Sequence, residues 1–400
     1  MLKRKSLLNW LISRRDNGQV KVLGGARGSG KTVLLELYRA YLELSGIPAE
    51  NILYVNFEHP DNRSLKSMQG AYDAIKEMVK NKSGRIYFLL DEITEVKEWQ
   101  KLVNGIRVGF ESDITITASN TSIFLAVNDY LAAKFQMLEV TPLSFQEYLE
   151  NKLEAADEQA QLKLFEEYVK WGGFPALGEV ENELLRHTLL QGIRAELLLK
   201  DAVKRNAVRD VTMLEQCADY LFDTVGTPVS IKKMAEAFKK AGIKTNPTSV
   251  DKYLSVLKDA FLFYEVPRYD VRKKEKLSTL PKYYSVDTGL SNHTKNLAAG
   301  VSSQLENIVY LELKRLEAEV FVTKLEQTEM GFVCFGVNGT EYFTITTKAL
   351  SDDNPILKQL LSIHDNYRKT ILTTIKTDAG QKEGIAIVPV LDWLLRERQS

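Results

Sequence analysis

Five short apolar runs punctuate the first third of the chain: Val20–Gly24, Ile52–Phe57, Ile86–Leu90, Ile114–Thr117 and Phe135–Val140. Longer stretches of helical character separate them. Such β-rich runs, spaced by helices, predict a parallel sheet with helices on both faces. From about Pro142 to Val211 the pattern becomes helical and acidic, broken at Trp171-Gly-Gly-Phe-Pro175. Roughly 212–290 reads as three helices followed by a two-stranded wing. Ser230 is placed to cap Ile231–Ala241, and Thr248-Ser249 to cap Val250–Phe261. Within the latter, Val250, Leu254, Leu257 and Phe261 recur every three or four residues, a stripe for burial. The run Phe261–Val266 leads into the basic Arg272-Lys-Lys-Glu-Lys276. From about 300 a helix, Gln304–Glu317, precedes several short strands and a further helix. The pattern divides the chain into an α/β domain at 1–145, a helical lid region at 146–211, a winged-helix domain at 212–295 and a C-terminal α/β domain at 296–400.

Composition adds limits. The 400 residues carry 53 Lys plus Arg and 53 Asp plus Glu, so a polyanion could be met only by a local patch. Two cysteines, Cys217 and Cys334, exclude a disulfide framework and fit a reducing cytoplasm. The basic start MLKRKSLLNWLISRR lacks a cleavage site and reads as an amphipathic helix. No apolar run approaches the roughly 18 residues of a membrane span.

The first run ends at Gly25-Ala-Arg-Gly-Ser-Gly-Lys-Thr32, a full match to G-x-x-x-x-G-K-[ST], and a helical run begins after it. Glycines let the backbone turn its N–H groups onto phosphate oxygens, and the helix N-terminus adds its positive end. Gly25, Arg27, Gly28, Ser29, Gly30, Lys31 and Thr32 are the candidate nucleotide contacts. Lys31 would meet the β- and γ-phosphates, and the Thr32 hydroxyl would ligate Mg²⁺. The third run ends in Asp91-Glu92 at the carboxyl edge, where ligands sit in open α/β sheets. Asp91 is a candidate for holding Mg²⁺ through water, and Glu92 for orienting and deprotonating the attacking water. The alternative for these acids is a plain helix N-cap. The fourth run ends in Ser119-Asn120, a candidate γ-phosphate sensor or a strand-ending turn; Asn120 is taken as catalytic with Glu92 and Lys31. Glu58 either faces the same edge or is a solvated loop acid.

With these residues placed, the chain resembles a prokaryotic family of AAA-type ATP-binding proteins. That family carries a helical and winged-helix middle and a C-terminal restriction-endonuclease-like domain of uncharacterised function. The resemblance runs nearly end to end. It rests on the P-loop with Arg27, Leu-Leu-Asp-Glu92 with Trp99, Thr117-Ala-Ser-Asn120, Pro142-Leu-Ser-Phe-Gln-Glu147, Gly172-Gly-Phe-Pro175, Tyr284-Ser-Val-Asp-Thr-Gly-Leu290 and Glu306-Asn-Ile-Val309. It implies ATP and Mg²⁺ as ligands and assembly through the ATPase domain. Three departures stand out. Lys134 replaces an arginine, a point charge for a planar fork. Gly331 stands where the family has an aspartate, and Ile345 where it has a glutamine, which leaves Glu306 short of a two-carboxylate nuclease site.

Between Ile231 and Lys282 there are 13 basic and 6 acidic side chains, a footprint for a polyanion in a neutral chain. Lys252 and the wing residues Arg272, Lys273, Lys274 and Lys276 are the candidate contacts. A lid or protein-docking role stands beside that reading. His59, His187, His293 and His364 lie at no metal-ligand spacing. The expectation is an ATP-hydrolysing regulatory switch, with a nucleotide-dependent module of little turnover and an ATP-driven nuclease as alternatives.

Overall fold

The computed structural model describes residues 2–124, 134–152, 157–294, 301–316, 318–325, 328–337, 339–351 and 354–396. They form two compact units: Met1–Pro142 with Asp259–Phe261, and Leu143–Lys258 with Leu262–Ser400.

In the first unit the five apolar runs become β1 (Val20–Gly24), β2 (Ile52–Asn56), β3 (Ile86–Asp91), β4 (Ser112–Ala118) and β5 (Phe135–Glu139). They pair in parallel in the order β2-β3-β4-β1-β5. Successive side chains of β3 feed opposite faces. Phe88 and Leu90 join the cluster under α3 (Met68–Val79) and α4 (Trp99–Gly109). Tyr87 and Leu89 join the cluster under α1 (Lys5–Ile12) and α2 (Lys31–Leu44). Burial on both faces is why β3 runs apolar from Ile86 to Leu90 with no polar alternation. The strand order decides the site: β4 lies between β1 and β3, so the three carboxyl ends that carry the P-loop, Ser119 and Asp91-Glu92 are neighbours.

The second unit pairs helices with an eight-stranded mixed sheet. Its strands are β6 (Phe263–Asp270), β7 (Glu275–Ser285), β8 (Glu319–Leu325), β9 (Thr328–Gly336), β10 (Gly339–Thr346), β11 (Arg368–Thr373), β12 (Gly380–Lys382) and β13 (Ile385–Pro389). The order is β12-β13-β11-β10-β9-β8-β6-β7. The hairpin expected as a separate wing, β6–β7, is the edge of this sheet, because Arg268–Asp270 pair in parallel with Val322–Lys324. One sheet thus crosses the boundary drawn at 295/296. Pairing between segments about 50 residues apart leaves no trace in local periodicity. Two helix ends also differ from the sequence reading. Asn246, not Thr248 or Ser249, caps Pro247–Asp259 by accepting from the Ser249 N–H at 2.8 Å. That helix stops before Phe261, which takes a positive φ of 56°.

Candidate nucleotide site

The P-loop leaves β1 and turns at Gly28 and Gly30, whose φ values of 78° and 98° belong to the region glycine enters without strain. Gly25 is needed for space: a Cβ there would lie 2.1 Å from the Val140 carbonyl oxygen. Lys31 curls back over the loop, donating to the carbonyls of Gly25 at 2.8 Å and Ala26 at 3.1 Å, and to Ser119 Oγ at 2.9 Å. Its ammonium also stands 3.8 Å from Glu92 Oε1. The Ser29 hydroxyl is buried and finds no hydrogen-bond partner among the described residues. Arg27 forms a two-pronged pair with Glu58, both contacts 2.7 Å, so the acid after β2 does face this edge.

Asp91 is fully buried at the end of β3. Its carboxylate accepts from Thr117 Oγ1 at 2.5 Å, Thr32 Oγ1 at 2.8 Å, Tyr54 OH at 3.0 Å and Asn56 Nδ2 at 3.1 Å. Burial pushes the acid up from its ordinary pKa, while the Thr117 bond works the other way. The same burial beside Asp91 holds the Tyr54 phenol in its neutral form.

Glu92 follows with φ 52° and ψ 49°, a left-handed conformation that costs a glutamate energy. Its side chain caps no helix, which removes the N-cap alternative. It is held instead by Ser119, whose N–H reaches Oε2 at 3.2 Å and whose hydroxyl donates to Oε1. The structure therefore brings Ser119 to both Lys31 and Glu92. Asn120, the residue taken as catalytic, directs its amide to Thr94 Oγ1 at 3.3 Å and accepts from Ser122. Adjacent residues at a strand end point to opposite sides, and the sequence does not say which one faces the loop. Lys134 is exposed, and the adjoining Ala133 lies outside the described residues.

These groups fit a magnesium-bound nucleoside triphosphate. The loop has the turned glycines, an unpaired buried hydroxyl and one lysine. The paired oxygens of Thr32 and Asp91 are hard ligands of the sort Mg²⁺ takes alongside water and phosphate. Among the described residues no three His, Cys, Asp or Glu side chains converge as an all-protein metal site.

Comparison with known proteins agrees with this geometry. Residues 17–149 match the family model described as "AAA domain", and residues 162–301 match "Domain of unknown function (DUF8612)". An uncharacterized protein of Haemophilus influenzae is 37% identical over 400 residues, covering 99% of each chain. The chain belongs to the AAA-type P-loop family. A second relative in that comparison, an uncharacterized protein of Methanocaldococcus jannaschii, is 27% identical over 80% of this chain and 73% of its own. Among solved structures, a Walker-type ATPase of Pyrococcus abyssi superposes with a TM-score of 0.47 at 11% identity, covering 74% of this chain and 96% of that one.

The other segments that carried the AAA-type resemblance lie in the second unit, where they are structural. Ser144 and Glu147 form a capping box at Phe145–Lys152, with Ser144 N–H to Glu147 Oε2 at 3.0 Å and Glu147 N–H to Ser144 Oγ at 3.1 Å. Asp287 is buried and accepts the Gly173 N–H at 2.6 Å and the Gly289 N–H at 2.8 Å. A side chain at Gly172 would collide with that carboxylate at 1.8 Å. Asn307 completes the node, accepting from Ser285 N–H at 2.8 Å and donating to Ser285 O at 3.0 Å.

Glu306 is not the lone acid that the departures at Gly331 and Ile345 implied, since Glu329 shares its lysine. Lys282 Nζ lies 3.0 Å from Glu306 Oε1 and 3.1 Å from Glu329 Oε2, and Tyr284 OH donates to Glu306 at 2.6 Å. Gly331 has φ 93°, and a Cβ there would stand 2.2 Å from the Phe343 carbonyl. This backbone admits no aspartate at that position. The basic footprint is also smaller than its count. Arg268 and Lys282 are buried, and Lys258 pairs with Glu265. Lys276 pairs with Glu319 at 3.1 Å, and Lys273 with Glu275 at 3.7 Å. Lys232, Lys233, Lys239, Lys240, Lys244, Lys252, Arg272 and Lys274 remain as exposed cations. Cys217 and Cys334 are buried free thiols. The His293 side chain lies outside the described residues.

Proposed function

We propose that this protein is an ATP-binding and ATP-hydrolysing regulatory switch. The convergence of Lys31, Ser119 and Glu92 on one edge of the sheet carries the reading. In it, the amides of Gly28 to Thr32 cradle phosphate, and Lys31 exchanges the carbonyls of Gly25 and Ala26 for phosphate oxygens. Thr32 and Asp91 hold Mg²⁺, which supplies charge neutralisation at the phosphates when bound. Glu92 accepts the proton of the attacking water, with Ser119 setting the orientation of its carboxylate. Assembly through the 1–145 domain belongs to this reading, with Lys134, a point charge in place of the family's arginine, weakening any role there on a γ-phosphate. The segments 146–211, 212–295 and 296–400 would respond to nucleotide state, in a cytoplasmic protein.

The test is ATP turnover alone and with single-stranded or duplex DNA, alongside mass in solution with and without nucleotide. Turnover that needs Mg²⁺ and is lost in Glu92→Gln supports the switch. Failure to bind ATP sinks it. A second reading, a nucleotide-dependent interaction module with little turnover, draws support from the engagement of both Glu92 carboxylate oxygens by Ser119. Tight ATP binding with negligible hydrolysis would favour it. The exposed basic residues of 231–282, Lys252, Arg272 and Lys274 among them, support nucleic acid as a partner through phosphate, with steep salt dependence and weak sequence preference. A nuclease reading is opposed by the Lys282 ammonium, which already pairs with both Glu306 and Glu329.

A further inference from the structure

Arg4 precedes α1 and is buried in the first unit. Burying a guanidinium is costly unless its donors are satisfied, so its partners reveal what it is for. One nitrogen, NH1, donates to the Ser29 carbonyl inside the P-loop at 2.8 Å and to the Thr141 carbonyl at 3.0 Å. Its backbone is fixed as well. The Arg4 carbonyl accepts the Leu8 N–H at 2.9 Å, and α1 places Leu11 in the cluster with Leu34, Leu35 and Tyr38 of α2.

The consequence follows from the geometry of the peptide. The Ser29–Gly30 peptide is planar and trans, so its C=O and N–H point in opposite directions. A guanidinium that draws the Ser29 oxygen outward turns the Gly30 N–H inward, to the side where phosphate is cradled. The cation also polarises that amide and strengthens its N–H as a donor. Gly30, at φ 98°, has backbone freedom that nothing in its own side chain restrains. We infer that Arg4 is a positioning residue for nucleotide binding, holding a phosphate-binding amide of the P-loop from behind. This rests on the nucleotide reading above and extends it to a residue outside the P-loop motif. Because Arg4 acts on an amide that meets phosphate rather than base, ATP, ADP and inorganic tripolyphosphate should share its contribution. Because that amide binds in ground and transition states alike, affinity should change and the saturated rate should not.

The experiment compares the full-length parent with Arg4→Met and Arg4→Lys. Dissociation constants are measured for ATP, ADP and tripolyphosphate, and melting temperature with and without ATP. Arg4→Met should weaken all three ligands by about tenfold, with kcat within about twofold and a smaller ATP-induced rise in melting temperature. Arg4→Lys, keeping charge but offering a point rather than a fork, should fall between them. If Arg4→Met does not fold, labelling with carbonyl-13C serine and 15N glycine decides. It isolates the three Ser-Gly peptides of the chain, Ser29-Gly30, Ser45-Gly46 and Ser83-Gly84. In Arg4→Lys only the Ser29-Gly30 signal should move. Parent-like affinity in Arg4→Met, or an unmoved Ser29-Gly30 signal in Arg4→Lys, overturns the role of Arg4 alone. A parent that binds none of the three ligands overturns the nucleotide reading with it.

Discussion

Asp91 and Asp287 are both buried carboxylates whose pKa burial raises, yet they are built for different work. The four donors to Asp91 are all side chains: two threonine hydroxyls, a phenol and an amide. Such groups reorient by rotating one bond, so Asp91 can change partners when a cation or water arrives. Asp287 is held by the backbone N–H groups of Gly173 and Gly289, which cannot turn away without moving the chain. A carboxylate satisfied by rotors at an open sheet edge is a candidate site. One satisfied by backbone inside a closed node is a clamp. The Lys31–Ser119–Glu92 cluster and the Lys282–Glu306–Glu329 cluster differ in the same way. The first stands beside a buried hydroxyl, Ser29 Oγ, with no partner among the described residues, whereas the second pairs its two carboxylates with Lys282 and, at 3.9 Å, Arg268.

The contrast breaks most sharply at Lys31. Lys31→Ala should abolish measurable nucleotide binding while the ligand-free melting temperature stays within a few degrees of the parent. Calorimetric titration with ATP and a thermal melt read the two arms, and parent-like affinity would remove the P-loop from the function. Asp287→Ala should do the reverse. It leaves two buried N–H groups unpaired, at about 1–3 kcal/mol each, so denaturant unfolding should show a loss of roughly 2–6 kcal/mol. ATP affinity of the folded fraction should be unchanged.

Glu92→Gln comes next, with turnover reduced about 10²-fold, some 2.7 kcal/mol of barrier, and ATP still bound. Undiminished hydrolysis would move the base to another residue. The most gradual effect is in pH. Asp287 is raised from 3.8 to about 6, chiefly by burial, against the Gly173 and Gly289 hydrogen bonds. The folded protein therefore holds this proton at pH values where the unfolded chain has released it. The stability from this group is present below about pH 4 and declines as pH rises towards 6, by at most about 3 kcal/mol. Asp287→Asn should flatten that part of the stability profile, and an unchanged profile would assign the slope to other groups.

Much of the first unit was legible beforehand. The five runs match β1 to β5 to within two residues at either end, because β-rich segments spaced by helices are a local pattern. Gly25 to Thr32 and Asp91-Glu92 stand where the motif spacing placed them, at the carboxyl ends of β1 and β3. Ser119 was placed only as one of a pair with Asn120. Arg4 was missed altogether, since a buried guanidinium looks like any basic residue of an amphipathic start. The second unit was harder. Its capping box and helix stripe are local patterns, but the role of Gly172, Gly173 and Asp287 depends on residues more than 110 positions apart.

The run pattern and residue types along the chain were enough to determine a parallel P-loop sheet, the glycine-rich turn after its first strand and the acids at its edge. These depend on contacts within one strand–turn–helix or on chemistry any such loop must satisfy. Strand order, the face taken by Ser119, the partners of Arg4 and Lys282, and the joining of β6–β7 to β8 were decided only by the tertiary structure. Each is a pairing across many residues, where the energy of burying a charge or completing a sheet is set by what the folded chain brings alongside.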